Sequence, residues 1–337
     1  MNNKRRIIQS VIALLLLGFC YLITNAQGND SLFNAQSKLP GVKYISILDG
    51  KYKVWTHKSG NGKIKLLLLH GGPGTPPEYF ENFPKELGKG YTIYTFSQLG
   101  TYLSDEPTDT AIANVRSAIE QVEEVRKGLG LDSFYLLGHS WGNLLAIGYA
   151  SKYQNHLKAL VLCNADIYGT GANQDYQGIL IANIVEKIPE YAKYADSIRQ
   201  DKIDNYSNPE LFSKIMVKVM PIFIREHYCR LDSLPYPVML SKIHSAGNNK
   251  FNYYLTSDMN RVDYEPFLKK ITIPTLFIGS QYDYMNPADY NKMKNVIGSK
   301  YAKIYICPNG SHFDMWDDTE NFFRELNGFI THVDKFL

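Results

Sequence analysis

Gly138-His139-Ser140-Trp141-Gly142 sets a serine between two glycines at Gly-x-Ser-x-Gly spacing. A serine hydroxyl is a weak nucleophile unless the backbone holds it clear of its neighbours and a base stands beside it. Phe134 to Leu137 enters the turn as an apolar run, and Leu144, Ala146, Ile147 and Ala150 leave it at helical spacing. The pattern predicts strand, tight turn and helix, with Ser140 at the apex. A Gly/Ser turn alone is commonplace; the strand before it and the helix after it turn the reading towards a nucleophile. The N–H of Trp141, which opens the helix, can stabilise a negative oxygen.

A second donor for such an oxygen is expected where Ile64 to Leu69 runs into His70-Gly71-Gly72-Pro73-Gly74. A strand ending in a glycine-rich loop leaves backbone N–H groups free at the sheet's end, and Gly72, with Gly71 beside it, is the candidate. Phosphate cradling is the competing use of such a loop, but neither GxGxxG nor GxxxxGK[ST] is present. His70 reads as a structural residue of the loop.

The serine needs a base, and the base needs an orienting acid. In an alternating α/β chain with this elbow the order is serine, acid, histidine, with the acid after a late strand and the histidine before the last helix. Asp283 follows the strand Thr275 to Gly279, and His312 follows Lys303 to Cys307. Other histidines fit less well. His139 should point away from Ser140, His57 and His156 lie on the wrong elements, His227 and His244 fall in an insertion, and His332 lies within the last helix.

The elements that must position these residues follow from the pattern. Lys43 to Ile47 and Tyr52 to His57 flank Asp49-Gly50 as a hairpin, and Tyr91 to Phe96 and Leu157 to Cys163 read as further strands. Thr110 to Leu129 reads as one helix capped by Asp109 and stopped by Gly130. Strands alternating with helices predict a mostly parallel sheet with right-handed crossovers. The alternation stops at about 167–264, where Ile179 to Glu190, Pro209 to Val219 and Pro221 to Tyr228 read as helices of an insertion, and resumes over 265–337. Pro287 to Val296 and Trp316 to Phe336 are the expected closing helices.

The chain has 337 residues, 45% of them hydrophobic and 20% charged, which is globular composition. Residues 1–26 carry Lys4-Arg5-Arg6, an apolar stretch from Val11 to Ile23, and Thr24-Asn25-Ala26 before Gln27, the features of a cleaved signal peptide. The expected destination is the periplasm or the exterior, without a stable membrane anchor after processing; the apolar stretch is shorter than the ~20 residues a spanning helix needs. The leader's three basic residues account for the whole formal charge of +3. The neutral remainder offers no electrostatic case for nucleic acid. No CxxC or HExxH spacing occurs, so neither metal nor cofactor is expected. Cys163, Cys229 and Cys307 are an odd set that suggests no disulfide framework.

Together, His70-Gly71-Gly72-Pro73-Gly74, Gly138-His139-Ser140-Trp141-Gly142, Tyr282-Asp283 with Pro287, and Asn309-Gly310-Ser311-His312 resemble the signature set of the proline iminopeptidase family of α/β-hydrolases. Gln98-Leu99-Gly100 with Ser104-Asp105 resembles that family's DQxG…S segment, with Ser97 in place of its Asp. The resemblance covers nearly the whole chain after the leader. It implies an α/β-hydrolase fold with a mainly helical cap, and a serine peptidase that removes N-terminal residues from short peptides. It also implies Ser140 as nucleophile, Asp283 as orienter and His312 as base, with Gly72 and Trp141 at the oxyanion hole. Two departures bear on substrate: Tyr284 stands where such enzymes commonly carry a Glu for the substrate amine, and Phe251 to Asp263 lacks their acidic element. An amine site would then fall to Asp258, Asp232, Asp263 or Glu265, with Glu226 behind them, and Gly71 and Tyr284 would line the substrate. Asn143 replaces a usual Gly. Alternatives are an esterase or amidase on a small acyl compound, and a non-catalytic ligand-binding homologue. Dehalogenase and epoxide-hydrolase chemistry is disfavoured by Ser140, where those relatives place Asp.

Overall fold

A computed structural model describes residues 35–101, 103–165, 172–200, 202–203, 208–239 and 249–336. The leader expected over residues 1–26 lies outside them. Eight strands form one sheet: β1 (Val42–Ile47), β2 (Tyr52–Ser59), β3 (Ile64–Leu69), β4 (Tyr91–Phe96), β5 (Phe134–His139), β6 (Leu157–Cys163), β7 (Thr275–Ser280) and β8 (Ala302–Cys307). Their spatial order is β1-β2-β4-β3-β5-β6-β7-β8; β1 and β2 pair antiparallel, β2 meets β4 antiparallel, and every later pairing is parallel. The major helices are α1 (Val115–Leu129), α2 (Trp141–Tyr153), α3 (Ala172–Glu186), α4 (Pro209–Phe223), α5 (Asn249–Met259), α6 (Asp289–Val296) and α7 (Thr319–Phe336).

The unbroken apolar run of β3 is explained by cover on both faces. Leu67 and Leu69 point into a core shared with α1 and α2, while Leu66 and Leu68 point into the opposite core, packed by α7 through Phe322, Leu326, Phe329 and Ile330. Successive strand residues face opposite ways, so such a strand can carry no polar position without burying it. Each leucine so buried contributes about 2 kcal/mol relative to exposure.

Several helix boundaries differ from the sequence reading; α3 spans Ala172–Glu186 where Ile179 to Glu190 was expected. Thr110–Ile112 is only a short 3-10 turn capped by Asp109; Asn114 then takes an extended conformation and its side chain accepts the Ser117 N–H, starting α1 afresh. Pro221 does not divide two helices: α4 runs through it to Phe223 and passes directly into a π-helical turn over Ile224–Tyr228. The closing helix is broken at Asp318, whose carboxylate accepts the Asn309 N–H and holds the loop before it.

The segment between β6 and β7 has its own core. Ile181, Ile184 and Val185 of α3 meet Phe212, Ile215, Val219 and Phe223 of α4. Its last helix, α5, behaves differently, for Phe251 and Leu255 join the core on the α1 face of the sheet.

Candidate active site

Ser140 sits at the tip of β5 with φ 56° and ψ −125°, a left-handed conformation that a residue with a side chain rarely adopts. The turn is enforced by close packing. A Cβ on Gly142 would lie 2.1 Å from the Leu69 carbonyl oxygen, and one on Gly138 would lie 2.3 Å from that of Gly142. Glycine at both positions therefore lets α2 begin directly over the end of β3. Asn143, where the resemblance led us to expect glycine, is fully buried and donates through Nδ2 to the Cys163 carbonyl, tying α2 to the end of β6.

The strand ends bring the other two residues to this point. Asp283 lies just past β7, buried, and its Oδ1 is 3.0 Å from His312 Nδ1. The Met285 N–H donates to the same Oδ1, fixing the carboxylate in a tight turn. His312 follows β8 and is also buried. Its backbone is held from three sides: the N–H donates to the His227 carbonyl, while its own carbonyl accepts from Asn164 Nδ2 at 2.9 Å and from His139 Nε2 at 2.7 Å. A carboxylate only accepts, so the proton between Asp283 and His312 sits on Nδ1, which leaves Nε2 as the basic nitrogen.

His139 points away from Ser140, as its place on the strand requires, and it joins two loops. With Nε2–H committed to the His312 carbonyl, its Nδ1 accepts from the Tyr79 hydroxyl at 3.0 Å, and that hydroxyl accepts the Gly71 N–H at 2.6 Å. Burial, with His312 nearby, drives its pKa well below the ordinary range and keeps it neutral. His70 is likewise structural: Nδ1 donates to the Gly71 carbonyl and Nε2 accepts the Gln98 N–H, and burial lowers its pKa to about 4. Gln98 completes this side by donating to the His70 carbonyl and accepting from Trp141 Nε1.

Gly71 packs against Ser140 so closely that a Cβ there would lie 2.9 Å from Ser140 Cβ. Its N–H is engaged by Tyr79, and Gly72, the next residue, has φ 114°. Tyr284 stands over His312, with its hydroxyl 3.2 Å from Nε2. Its phenol is pushed well above the usual range, first by burial, and stays protonated. Tyr228, from the π-helical turn, stacks on His312 with ring centroids 5.4 Å apart. Tyr79 and Tyr228 were not singled out from the sequence, because tyrosine is frequent throughout the chain and neither lies in a spaced motif.

Asp258 is not brought to this site: its carboxylate accepts the Val115 N–H at the start of α1. Asp263 accepts the Glu265 N–H, and Glu265 pairs with Lys269. Glu226 and Asp232 instead line a cavity of about 480 Å³ together with His227, Arg230 and Tyr282. None of Ser140, Gly72, Trp141, Asp283, Tyr284 and His312 lines that cavity; it is tied to them through the backbone alone, Tyr282 preceding Asp283 and the His227 carbonyl accepting the His312 N–H. Among the described residues no group of three His, Cys, Asp or Glu side chains is placed to hold a metal ion. Cys163, Cys229 and Cys307 are buried and form no disulfide with one another.

The model of the α/β-hydrolase fold family matches residues 65–319. The proline iminopeptidase of Chitinophaga pinensis is 36% identical over 301 residues, 85% of this chain and 96% of that protein. That of Flavobacterium johnsoniae is 34% identical over 308 residues, 84% of this chain and 95% of that protein. Among solved structures, the proline iminopeptidase of Mycobacterium smegmatis superposes with a TM-score of 0.71 at 19% identity, covering 87% of this chain and 98% of its own. By the extent of these matches, the chain belongs to the proline iminopeptidase family of α/β-hydrolases.

Proposed function

We propose that the chain is an exported serine aminopeptidase that releases N-terminal residues from short peptides through an acyl-enzyme on Ser140. The observation that carries this reading is the buried His312–Asp283 pair presented to a serine held at the apex of a strained turn. Ser140 Oγ attacks the first peptide carbonyl, and its proton ends on His312 Nε2. Asp283 stabilises the imidazolium that results. The carbonyl oxygen becomes an oxyanion, met by the N–H of Trp141 and that of Gly72, since the Gly71 N–H is bonded to Tyr79. Collapse returns the proton to the leaving amine, and water then releases the acyl group by the same steps. A free N-terminal ammonium needs a carboxylate near the scissile bond, because an uncompensated charge held out of water costs several kcal/mol. Glu226 and Asp232 are the carboxylates we assign to that role, although Lys187, Arg225 and Arg230 line the same cavity and Glu226 lies 4.0 Å from Lys187. Export rests on the leader at residues 1–26, and N-terminal sequencing of periplasmic protein should begin at or near Gln27.

One observation favours a second reading, an esterase or amidase acting on uncharged acyl groups: the side chains packed directly on His312 include the uncharged aromatics Tyr228 and Tyr284. The two readings separate on matched aminoacyl-p-nitroanilides with free and N-acetylated amines. Aminopeptidase specificity requires acetylation to cost ~10-fold or more in kcat/KM, the loss of about 1.4 kcal/mol of transition-state binding. Equal rates reject it in favour of the second reading. Ser140→Ala should abolish labelling by a fluorophosphonate probe and lower turnover by ~10³-fold or more.

A further inference from the structure

We propose that Asp317 is a positioning residue for His312, acting through Ser311 and through the inserted chain that runs beside it. Its carboxylate gathers donors from two loops distant in sequence. The Ser311 N–H lies 3.2 Å from Oδ1 and 3.3 Å from Oδ2, and the Ser311 hydroxyl donates to Oδ2. From the other loop the Arg230 N–H donates to the same Oδ2 at 2.9 Å. Each of these groups is a donor, so both oxygens of Asp317 serve as acceptors. Ser311 is fully buried and directly precedes His312, so the bonds that fix its backbone also fix where the His312 side chain begins. Asp317 is itself anchored, for it closes the short helical turn Asp314–Asp317 with its N–H bonded to the Phe313 carbonyl at 3.1 Å.

The same piece of inserted chain makes the other contacts of this loop. At the end of the π-helical turn, the His227 carbonyl accepts the His312 N–H at 3.3 Å and the Tyr228 carbonyl accepts the Phe313 N–H at 3.1 Å. Asp317 adds the bond from Arg230, two residues further on. The Arg230 guanidinium in turn lies 3.6 Å above the centre of the Tyr282 ring. The Tyr282 N–H donates to the Gly310 carbonyl at 3.0 Å, and its carbonyl accepts from His227 Nδ1 at 2.8 Å. The loops that carry Asp283 and His312 are therefore both braced on residues 227–230, with Asp317 joining that brace to the residue before His312. Removing the carboxylate leaves the Ser311 N–H and hydroxyl without this acceptor and frees the His312 loop to shift against Ser140.

This inference rests on His312 being the base, and the two fail separately: wild-type turnover in His312→Ala sinks that reading, whereas the brace is judged on Asp317. Asp317→Ala should lower kcat for p-nitrophenyl acetate by ~10-fold, since small misplacements of a catalytic group slow the chemical step that much or more, and should leave KM within ~2-fold. Asp317→Asn keeps one acceptor oxygen and should recover kcat to within ~3-fold of the wild type. Ser311→Ala removes the hydroxyl donor alone. It should slow the wild type by ~3-fold and the Asp317→Ala variant not at all, because hydroxyl and carboxylate act as one unit. An unchanged kcat in Asp317→Ala overturns the proposal, as does a loss confined to KM, an Asn variant as slow as the Ala variant, or a Ser311→Ala penalty of full size without Asp317. If Asp317→Ala does not fold, the cycle is closed with Asp317→Asn, where the Ser311→Ala penalty should shrink; a penalty equal to that in the wild type overturns the proposal.

Discussion

Removing one oxygen atom at Tyr79 should cost both stability and activity. In Tyr79→Phe the ring keeps its contacts with Phe80 and Phe313, whose centroids lie 4.3 Å and 5.1 Å away, so little apolar packing is lost. What disappears is the hydroxyl that accepts the Gly71 N–H at 2.6 Å and donates to His139 Nδ1 at 3.0 Å. Both groups are buried, and each loses its partner. A buried polar group left unsatisfied costs about 1–3 kcal/mol, so the pair should destabilise the fold by about 2–6 kcal/mol. The activity loss follows from position. Gly71 packs on Ser140, and His139 holds the His312 carbonyl, so losing the hydroxyl loosens the Gly71 loop and the His312 loop together. A drop of about 10-fold in kcat, equal to about 1.4 kcal/mol, is expected. Urea unfolding at neutral pH and turnover of p-nitrophenyl acetate on the same preparation check both numbers. A variant within 0.5 kcal/mol of the wild type, or one destabilised but fully active, would refute the linkage, with ~0.5 kcal/mol being the usual scatter for innocuous substitutions.

Acid should weaken the fold through His70. Its pKa is lowered from 6.5 to about 4 in the folded state, so the unfolded chain binds the proton first. The stabilisation is complete above pH 6.5 and is lost as pH falls towards 4, about 2 kcal/mol of it between pH 7 and 5. The stability gap between wild type and His70→Gln, measured by urea unfolding, should narrow by that amount over the interval; a constant gap would show that His70 titrates normally. A third expectation concerns α1, where Arg126 makes paired hydrogen bonds of 2.8 and 2.9 Å to Glu123, both residues being buried. Glu123→Gln removes the guanidinium's buried countercharge, leaving only the exposed Asp132 at 3.6 Å, and should cost about 3 kcal/mol in denaturant unfolding; a cost under ~1 kcal/mol would mean that water or Asp132 compensates the charge.

The strands and the elbow were legible in the sequence because backbone geometry leaves a one-dimensional trace. Apolar runs mark strands covered on both faces, and the glycines at 138 and 142 mark an approach that admits no side chain. Asp283 and His312 could be chosen because chain order restricts them to the ends of two late strands, and the structure joins them by a 3.0 Å contact. Helix starts were harder. Asp109 and Asn114 are both capping residues five positions apart, and only packing decides which of them begins the long helix. Pro221 was read as a break, yet α4 carries it one turn before its end. The partnerships of Tyr79, Tyr228 and Tyr284 leave no trace at all, since each depends on loops distant in sequence. Asp258 illustrates the converse: a carboxylate close to the cap in sequence caps a helix of the core instead.

The seam between β6 and β7 has a consequence for how such a chain can change. These strands are neighbours in the sheet, and the backbone on either side of the inserted segment is stitched together by Asn164 N–H to the Ile278 carbonyl at 2.9 Å. The entropy of closing a loop across fixed ends grows only with the logarithm of its length, about 0.6 kcal/mol for each doubling. Insertions or deletions in its α3–α4 part therefore leave the sheet almost untouched, whereas α5 packs on the α1 core. That part of the chain can be lengthened, shortened or exchanged without rebuilding the strand ends on either side of it. Tyr284 sets the condition on such an exchange, because its ring belongs to one side and packs on the other. A transplanted cover that brought no aromatic surface to meet it would leave that ring exposed to water, and its hydroxyl free to turn away from His312.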